Sequence, residues 1–274
     1  MKLGIFSKTF ARPTLDATCA AIAAHGLQSV QFNWESAGLE EMPQDLSADL
    51  CEALRRSLQA HGLELAAVSG TFNMIHPEHG REGLRRLEAL ASACSTLGVR
   101  LITLCTGTRH PGNQWHYHPD NATPEAWDDL CAAMRTAAQI AEARNVVLVL
   151  EPEVNNVVDS AQKARRLLDH IASDHLKIVI DGANLFHEGE LPRMREILDE
   201  AFQLLGDDIL LAHAKDLERD GDAGHQAAGT GVLDYGHYLS CLDRIGFAGS
   251  VILHSLSEEQ APLSIDYLRQ HWPR

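Results

Sequence analysis

The chain lacks the features that mark several large functional classes. It has no run of basic residues: Lys and Arg total 23 against 38 acidic residues, a formal charge of −15, so no electrostatic track exists for a nucleic-acid backbone. No apolar run reaches the ~18 residues of a membrane span, and the opening MKLGIFSKTF is too short and polar for a signal peptide. No GxGxxG follows the first strand-like run, and no phosphate loop of the GxxxxGK type occurs, which removes the usual support for a dinucleotide or nucleotide cofactor. Six cysteines (Cys19, Cys51, Cys94, Cys105, Cys131, Cys241) show no CxxC spacing. They read as reduced core thiols rather than a disulfide frame or zinc knuckle. These absences lead to the expectation of a soluble, cytoplasmic protein without nucleic-acid or membrane partners.

What is present is a repeating pattern of short β-rich apolar runs and longer segments of helical period. Eight strands are expected, at Lys2–Phe6, Ser29–Phe32, Glu64–Ser69, Leu101–Cys105, Val146–Leu150, Lys177–Ile180, Ile209–Ala212 and Ser250–Leu253. Between them lie amphipathic segments such as Leu15–His25, Leu46–His61, Arg81–Leu97, Pro124–Arg144, Ser160–Ile171 and Leu191–Leu205. Gly26, Gly62, Gly98 and Gly206 stand where helix stops are needed. Seven or eight βα repeats in 274 residues predict one (β/α)8 TIM barrel over residues 1–274, since such barrels commonly take ~250 residues.

The polar residues that end the apolar runs carry the functional signal. LVLE ends at Glu151, IVID at Asp181, ILLAH at His213 and VILH at His254. C-terminal strand ends of a parallel barrel converge on one mouth. A carboxylate directly after Val, Ile and Leu has no solvated face, and burying it unpaired costs several kcal/mol. Either a structural ion pair or a metal answers that cost, and the repetition on adjacent strands favours a metal. Carboxylates with one or two imidazoles suit Mn²⁺, Co²⁺, Zn²⁺, Fe²⁺ or Mg²⁺. A lone strand-end His such as His213 would instead read as a satisfied core histidine.

Other residues are weaker candidates. His76 follows strand three in SGTFNMIHPE, and Asn155 and Asn184 follow Glu151 and Asp181 closely. They are candidates for substrate contact or for orienting ligands, with turn roles as the alternative. Lys215 could stabilise developing negative charge or form a salt bridge. Gly229 and Gly231 allow a tight turn or a close ligand approach, and Asp234 could cap the next helix. The long connection Thr106–Asn121, with Arg109, His110, Trp115, His116 and His118, reads as a lid or specificity loop, or as a solvated excursion. The total of 15 histidines is not a site signal, because His25, His61 and His170 fall at helix ends.

At SGTFNMIHP (from Ser69), LEPEVNNVVDS (from Leu150), IDGANLF (from Ile180), HAKD (from His213) and GTGVLDY (from Gly229), the chain resembles the sugar phosphate isomerase/epimerase superfamily of xylose isomerase-like barrels. That superfamily includes inosose dehydratases, ketose 3-epimerases and endonuclease IV. The resemblance spans nearly the whole chain and implies a divalent-metal enzyme acting on a small polyhydroxylated carbonyl compound. In ketose 3-epimerases a Glu, an Asp, a His and a second Glu hold the metal, and the two Glu exchange the substrate proton. Glu151, Asp181 and His213 match the first three, and Arg219 falls where a substrate-binding arginine is placed. His254 stands at the fourth position, which removes one negative charge and the two-Glu exchange; it is the candidate fourth ligand or general base.

The residues and the resemblance together give Glu151, His254 and Lys215 as the expected catalytic groups, with His76, Asn155, Asn184 and Arg219 expected to contact substrate. An isomerase or epimerase working through an enediolate is the first expectation. An inosose dehydratase-like lyase is the second, suggested by the HAKD segment, and a non-catalytic sugar-binding barrel the third. The acidic charge argues against an endonuclease. Dimers or tetramers are common among such barrels, which makes a homo-oligomer compatible with the chain.

Overall fold

The computed structural model describes residues 1–273. Eight parallel strands close into a barrel in sequence order: β1 (Lys2–Phe6), β2 (Ser29–Phe32), β3 (Glu64–Ser69), β4 (Leu101–Leu104), β5 (Val147–Leu150), β6 (Leu176–Asp181), β7 (Ile209–Ala214) and β8 (Ser250–Leu253). Each is followed by a helix on the outside: α1 (Leu15–Ala24), α2 (Ala48–Ala60), α3 (Gly80–Leu97), α4 (Pro124–Arg144), α5 (Ala161–Ile171), α6 (Met194–Leu205), α7 (Tyr235–Arg244) and α8 (Ala261–His271). This is the (β/α)8 barrel expected from the repeat pattern. No helix among the described residues is long and apolar enough to cross a membrane.

Local chemistry explains the helix boundaries. Thr14, Ser47, Thr123, Ser160 and Asp234 each accept a hydrogen bond from a backbone N–H of the first turn, which replaces a partner those orphan donors lack. Gly26, Gly62 and Gly98 take the left-handed conformation expected of a stop, with φ of 67°, 67° and 76°. Gly206 does not: its φ is −52°, and the chain runs on into a 3-10 turn. A glycine is used there because a side chain would press on Ile245. The Leu191–Leu205 segment also divides, with Pro192 in a 3-10 turn before α6 begins at Met194.

Two apolar layers hold the barrel. The larger lies between strands and helices. The smaller fills the barrel's interior and consists of Ala67, Val147, Val149, Val179, Leu211 and Ile252. Because successive strand residues point to opposite faces, residue 151 follows 147 and 149 into the interior, 181 follows 179, 213 follows 211, and 254 follows 252. The apolar plug therefore carries a polar layer directly above it. All six cysteines are buried and unpaired, and burial raises their thiol pKa values, as for Cys94 at about 12 and Cys19 at about 11.

The connection from β7 to α7 is wound around one buried carboxylate. Asp216 Oδ1 accepts from the backbone N–H of Leu217 and Leu233, both at 2.9 Å, and Oδ2 from Gly229 at 3.0 Å. Gly229 has φ +87°, and a side chain on Gly231 would collide with the Leu217 carbonyl and with Asp216 itself. The two glycines thus serve a tight turn. Asp216→Ala is expected to lower stability by about 2–3 kcal/mol, since two buried donors and a part-buried one lose their acceptor; urea unfolding of the variant beside the parent measures it.

Candidate metal centre

The inward register brings together the four strand-end residues. Ligand atoms of Glu151, Asp181, His213 and His254 all lie within 4.8 Å of one another. Asp181 and His213 are paired across β6 and β7, because both strands run further than the sequence pattern indicated and carry these residues inside the sheet. Asp181 is wholly buried; the side chains of His213, Glu151 and His254 keep 6%, 14% and 18% exposure towards the mouth. Ser255, directly after His254, holds a left-handed φ of 56°, a conformation that costs free energy for a non-glycine residue and recurs at functional sites.

Each group is oriented by a neighbour. Gln31 on β2 donates its amide to Ser69 Oγ at 3.3 Å and Thr103 Oγ1 at 3.2 Å, so its Oε1 accepts from His213 Nε2 at 2.8 Å. That bond places the imidazole proton on Nε2 and leaves the buried Nδ1 with no hydrogen-bond partner, 3.4 Å from Glu151 Oε1. Asn184 donates to Glu151 Oε1 at 2.7 Å. Asp181 Oδ1 accepts from the Ala183 N–H at 2.9 Å, while Oδ2 faces His254 Nε2 at 3.0 Å and Lys215 Nζ at 3.7 Å.

Burial and charge act against each other here. Burial alone would raise the Asp181 carboxyl, but Lys215 and His254 outweigh it and hold it well below the usual range. Glu151 is likewise lowered despite its burial, with Lys215 among the groups that favour its charged form. Burial depresses His254 to about 4 despite its bond to Asp181, which keeps the imidazole neutral near neutral pH; its proton lies on Nε2, donated to Asp181, and would shift to Nδ1 for Nε2 to hold a cation. Lys215 is pushed down by burial and pulled up more strongly by Asp181, Glu151 and Glu153. An imidazole lone pair without a donor, aimed into a cluster of two ionised carboxylates and a second neutral imidazole, fits a divalent ion with mixed nitrogen and oxygen preference.

The cluster opens into a cavity of about 300 Å³ lined by Phe6, Gln31, Ser69, Thr103, Trp115, Glu153, Lys215 and His225 among others. Glu153 was not singled out from the sequence. It lies two residues beyond Glu151 and is almost fully buried; burial pushes its carboxyl up to about 8, with Lys215 opposing and Glu151, Asp181 and Asp222 adding to the rise. Gln31 was missed as well, hidden inside the run SVQF. In both cases the available signal is parity: Gln31 takes an inward position on β2, and Glu153 continues the inward alternation of β5 just past its end.

Three expected substrate contacts are placed elsewhere. His76 does not line the cavity: its Nδ1 accepts from the Glu78 and His79 N–H groups, its ring stacks on His79 at 4.4 Å, and it faces a separate groove between α3 and α4. The chain after β3 turns outward before reaching it. Arg219 is exposed on the far stretch of the β7–α7 loop, because the winding around Asp216 carries it outward. Asn155 is buried and clasps two loops, donating to Trp115 O at 3.0 Å and Asp222 Oδ1 at 2.7 Å. Asn184 takes the other role foreseen for it, orienting Glu151. Within the 106–121 loop only Trp115 reaches the cavity. Arg109 pairs with Asp129, and Asn121 ties the loop to Arg109 N at 2.7 Å and Asn155 O at 2.9 Å; the segment forms a pinned wall.

A family model described as xylose isomerase-like TIM barrel matches residues 19–271, and the chain belongs to that family. No curated protein matches it by sequence. Among solved structures it is similar to a D-tagatose 3-epimerase-like protein, with 19% identity over 99% of this chain and 97% of that one and a TM-score of 0.78. It is also similar to 3-keto-D-glucoside 4-epimerase from E. coli, at 18% identity over 98% and 99% with a TM-score of 0.74. A third is the probable 3-DHS dehydratase from Bacillus anthracis, at 14% identity over 98% and 99% with a TM-score of 0.76. At these identities the likeness is one of fold.

Gln31→Leu removes the acceptor that fixes the His213 tautomer while keeping a side chain of similar size. It is expected to weaken divalent-ion affinity by about 10–100-fold without unfolding the chain. Chelator competition with Mn²⁺ and Zn²⁺, beside circular dichroism, reads both effects.

Proposed function

We propose that the protein is a divalent-metal-dependent isomerase or epimerase of a small polyhydroxylated carbonyl compound. The observation that carries this reading is the convergence of Glu151, Asp181, His213 and His254 within 4.8 Å in a pocket of about 300 Å³, a size suited to a small molecule. These four residues would hold the ion. When bound, the ion supplies Lewis-acid polarisation of adjacent carbonyl and hydroxyl oxygens. Two imidazoles in the set favour Mn²⁺, Fe²⁺, Co²⁺ or Zn²⁺ over Mg²⁺. The sugar epimerases among the structural neighbours support the substrate class.

The remaining chemistry belongs to the chain. Glu151, held by Asn184, is the group that takes the proton from the hydroxyl-bearing carbon, leaving an enediolate. Lys215, buried beside Asp181, contributes the fixed positive charge that offsets the anion. Return of the proton to the opposite face gives an epimer, and return to the neighbouring carbon gives an isomer. His254 and Glu153 border the pocket and are the groups placed to serve that return. Phe6 and Trp115 wall the pocket and limit access of water to the carbanion.

One observation favours a second reading. A strand-eight imidazole replaces the second carboxylate of a two-Glu exchange, so the enediolate could instead expel a β-hydroxyl as water, as a dehydratase does; a probable dehydratase is among the fold's neighbours. The two outcomes separate in D₂O. A ketose and inosose panel incubated with Mn²⁺-loaded protein is expected to take up solvent deuterium at carbon without a new ultraviolet chromophore. A conjugated or diketo absorbance would assign the lyase instead.

Elemental analysis tests the centre directly. About one ion per chain is expected in the parent after reconstitution with Mn²⁺, a hard ion that thiolate ligands do not select, and loss of it in Glu151→Gln and Asp181→Asn. Turnover of Glu151→Gln should fall by at least ~10²-fold. Absence of metal from the parent would sink the reading in favour of a sugar-binding barrel.

A further inference from the structure

A second group of metal-ligating side chains lies outside the barrel, on the surface seam between α6 and α7. Asp199 projects from α6, and His237 and Cys241 lie four residues apart on one face of α7. Ligand atoms of the three lie within 4.8 Å of one another. His237 Nε2 is 3.1 Å and Cys241 Sγ 3.7 Å from Asp199 Oδ1. Separations of this size are those of ligands on adjacent corners of a small tetrahedron, given bonds of about 2.0 Å to nitrogen or oxygen and about 2.3 Å to sulfur.

The same spot already holds a cation. Arg244, one turn after Cys241 on α7, reaches Asp199 Oδ1 at 2.5 Å and Cys241 Sγ at 3.1 Å with the same Nη2 atom. Its side chain is half exposed, so it can swing into solvent at little cost. The seam thus offers a carboxylate, an imidazole and a thiol around a point where positive charge is already stabilised.

We propose that Asp199, His237 and Cys241 form a separate surface site for a zinc-class transition-metal ion, with Arg244 as the displaceable cation that occupies it otherwise. One imidazole nitrogen, one carboxylate oxygen and one sulfur make three ligands of a four-coordinate site, and solvent completes it. On binding, the Cys241 S–H bond breaks and its proton passes to buffer, the His237 proton moves from Nε2 to Nδ1 through solvent, and the sulfur and Nε2 lone pairs bond the ion. Oxidation states do not change. The bound ion links α6 to α7, the helices that flank β7, which carries His213. A thiolate ligand sets this site apart from the pocket cluster, which contains no sulfur.

Titration of the full-length protein with Co²⁺ tests the proposal, because a sulfur-to-cobalt charge-transfer band in the near ultraviolet arises only from a thiolate ligand. The parent is expected to show it at about one equivalent per chain for this site, Cys241→Ser to lose it, and the surface variant Asp199→Asn to weaken it without loss of fold. Arg244→Gln is expected to tighten Co²⁺ binding about two- to fivefold, the worth of one exposed ion pair. No band in the parent, or a band that survives Cys241→Ser, overturns the proposal. Neither result depends on whether the pocket cluster binds metal or turns over a sugar, since ions there give no such band.

Discussion

The structure depends on one geometric constraint, the two-residue alternation of strands in a closed parallel barrel. Once Val147, Val149, Val179, Leu211 and Ile252 fill the interior, alternation leaves no choice about what comes next along each strand. Glu151, Asp181, His213 and His254 must enter the same space one step nearer the mouth, and Phe6, Gln31, Ser69 and Thr103 enter it from the other strands. A one-residue slip would turn every one of these groups into the apolar layer against the helices. The hydrophobic plug thus fixes the register, and the register assembles the site.

Putting polar groups above an apolar plug creates an electrostatic problem whose solution is visible in the contacts. Asp181 and Glu151 are ionised and buried, and Lys215 is the ammonium between them. Glu153 is raised by the same surroundings and holds its proton, and His254 is held neutral. The cluster therefore carries about one uncompensated negative charge in a low-dielectric setting. Burying such a charge is costly, and the hydrogen bonds from Asn184 and the Ala183 N–H offset only part of that cost. A cation between the four ligand atoms would answer it.

Much of this is legible in the sequence, because strand-end residues announce themselves by the apolar run they terminate. The eight strands, the closed barrel and the four converging residues follow from that pattern. Residues inside a run, such as Gln31, and residues just beyond one, such as Glu153, become legible only when parity is counted from the plug. Loop residues obey no such period. His76 was placed at the mouth by its distance from β3, but the loop leaves the barrel axis and uses the imidazole to cap a turn. Arg219 was placed by family context, yet the turn around Asp216 directs it outward. Asn155 belongs to the pocket's construction, through a clasp between two loops that no local sequence signal encodes.

The residue that separates this site from a four-ligand arrangement with three carboxylates is His254. Three carboxylates around a divalent ion leave a net negative centre, whereas two carboxylates and two neutral imidazoles leave it uncharged, before Lys215 is counted. A less negative centre polarises a bound carbonyl more strongly and stabilises an enediolate better, but its imidazole returns a proton less symmetrically than a second glutamate would. The same exchange also relaxes the demand for a strongly anionic cage, which is consistent with Asn184 and Gln31, both neutral amides, holding Glu151 and His213 in place. In the proposed reaction the chain would favour stabilising the anion over balanced two-sided proton exchange, and the fate of that anion, reprotonation or loss of hydroxide, would rest on what faces it across the pocket.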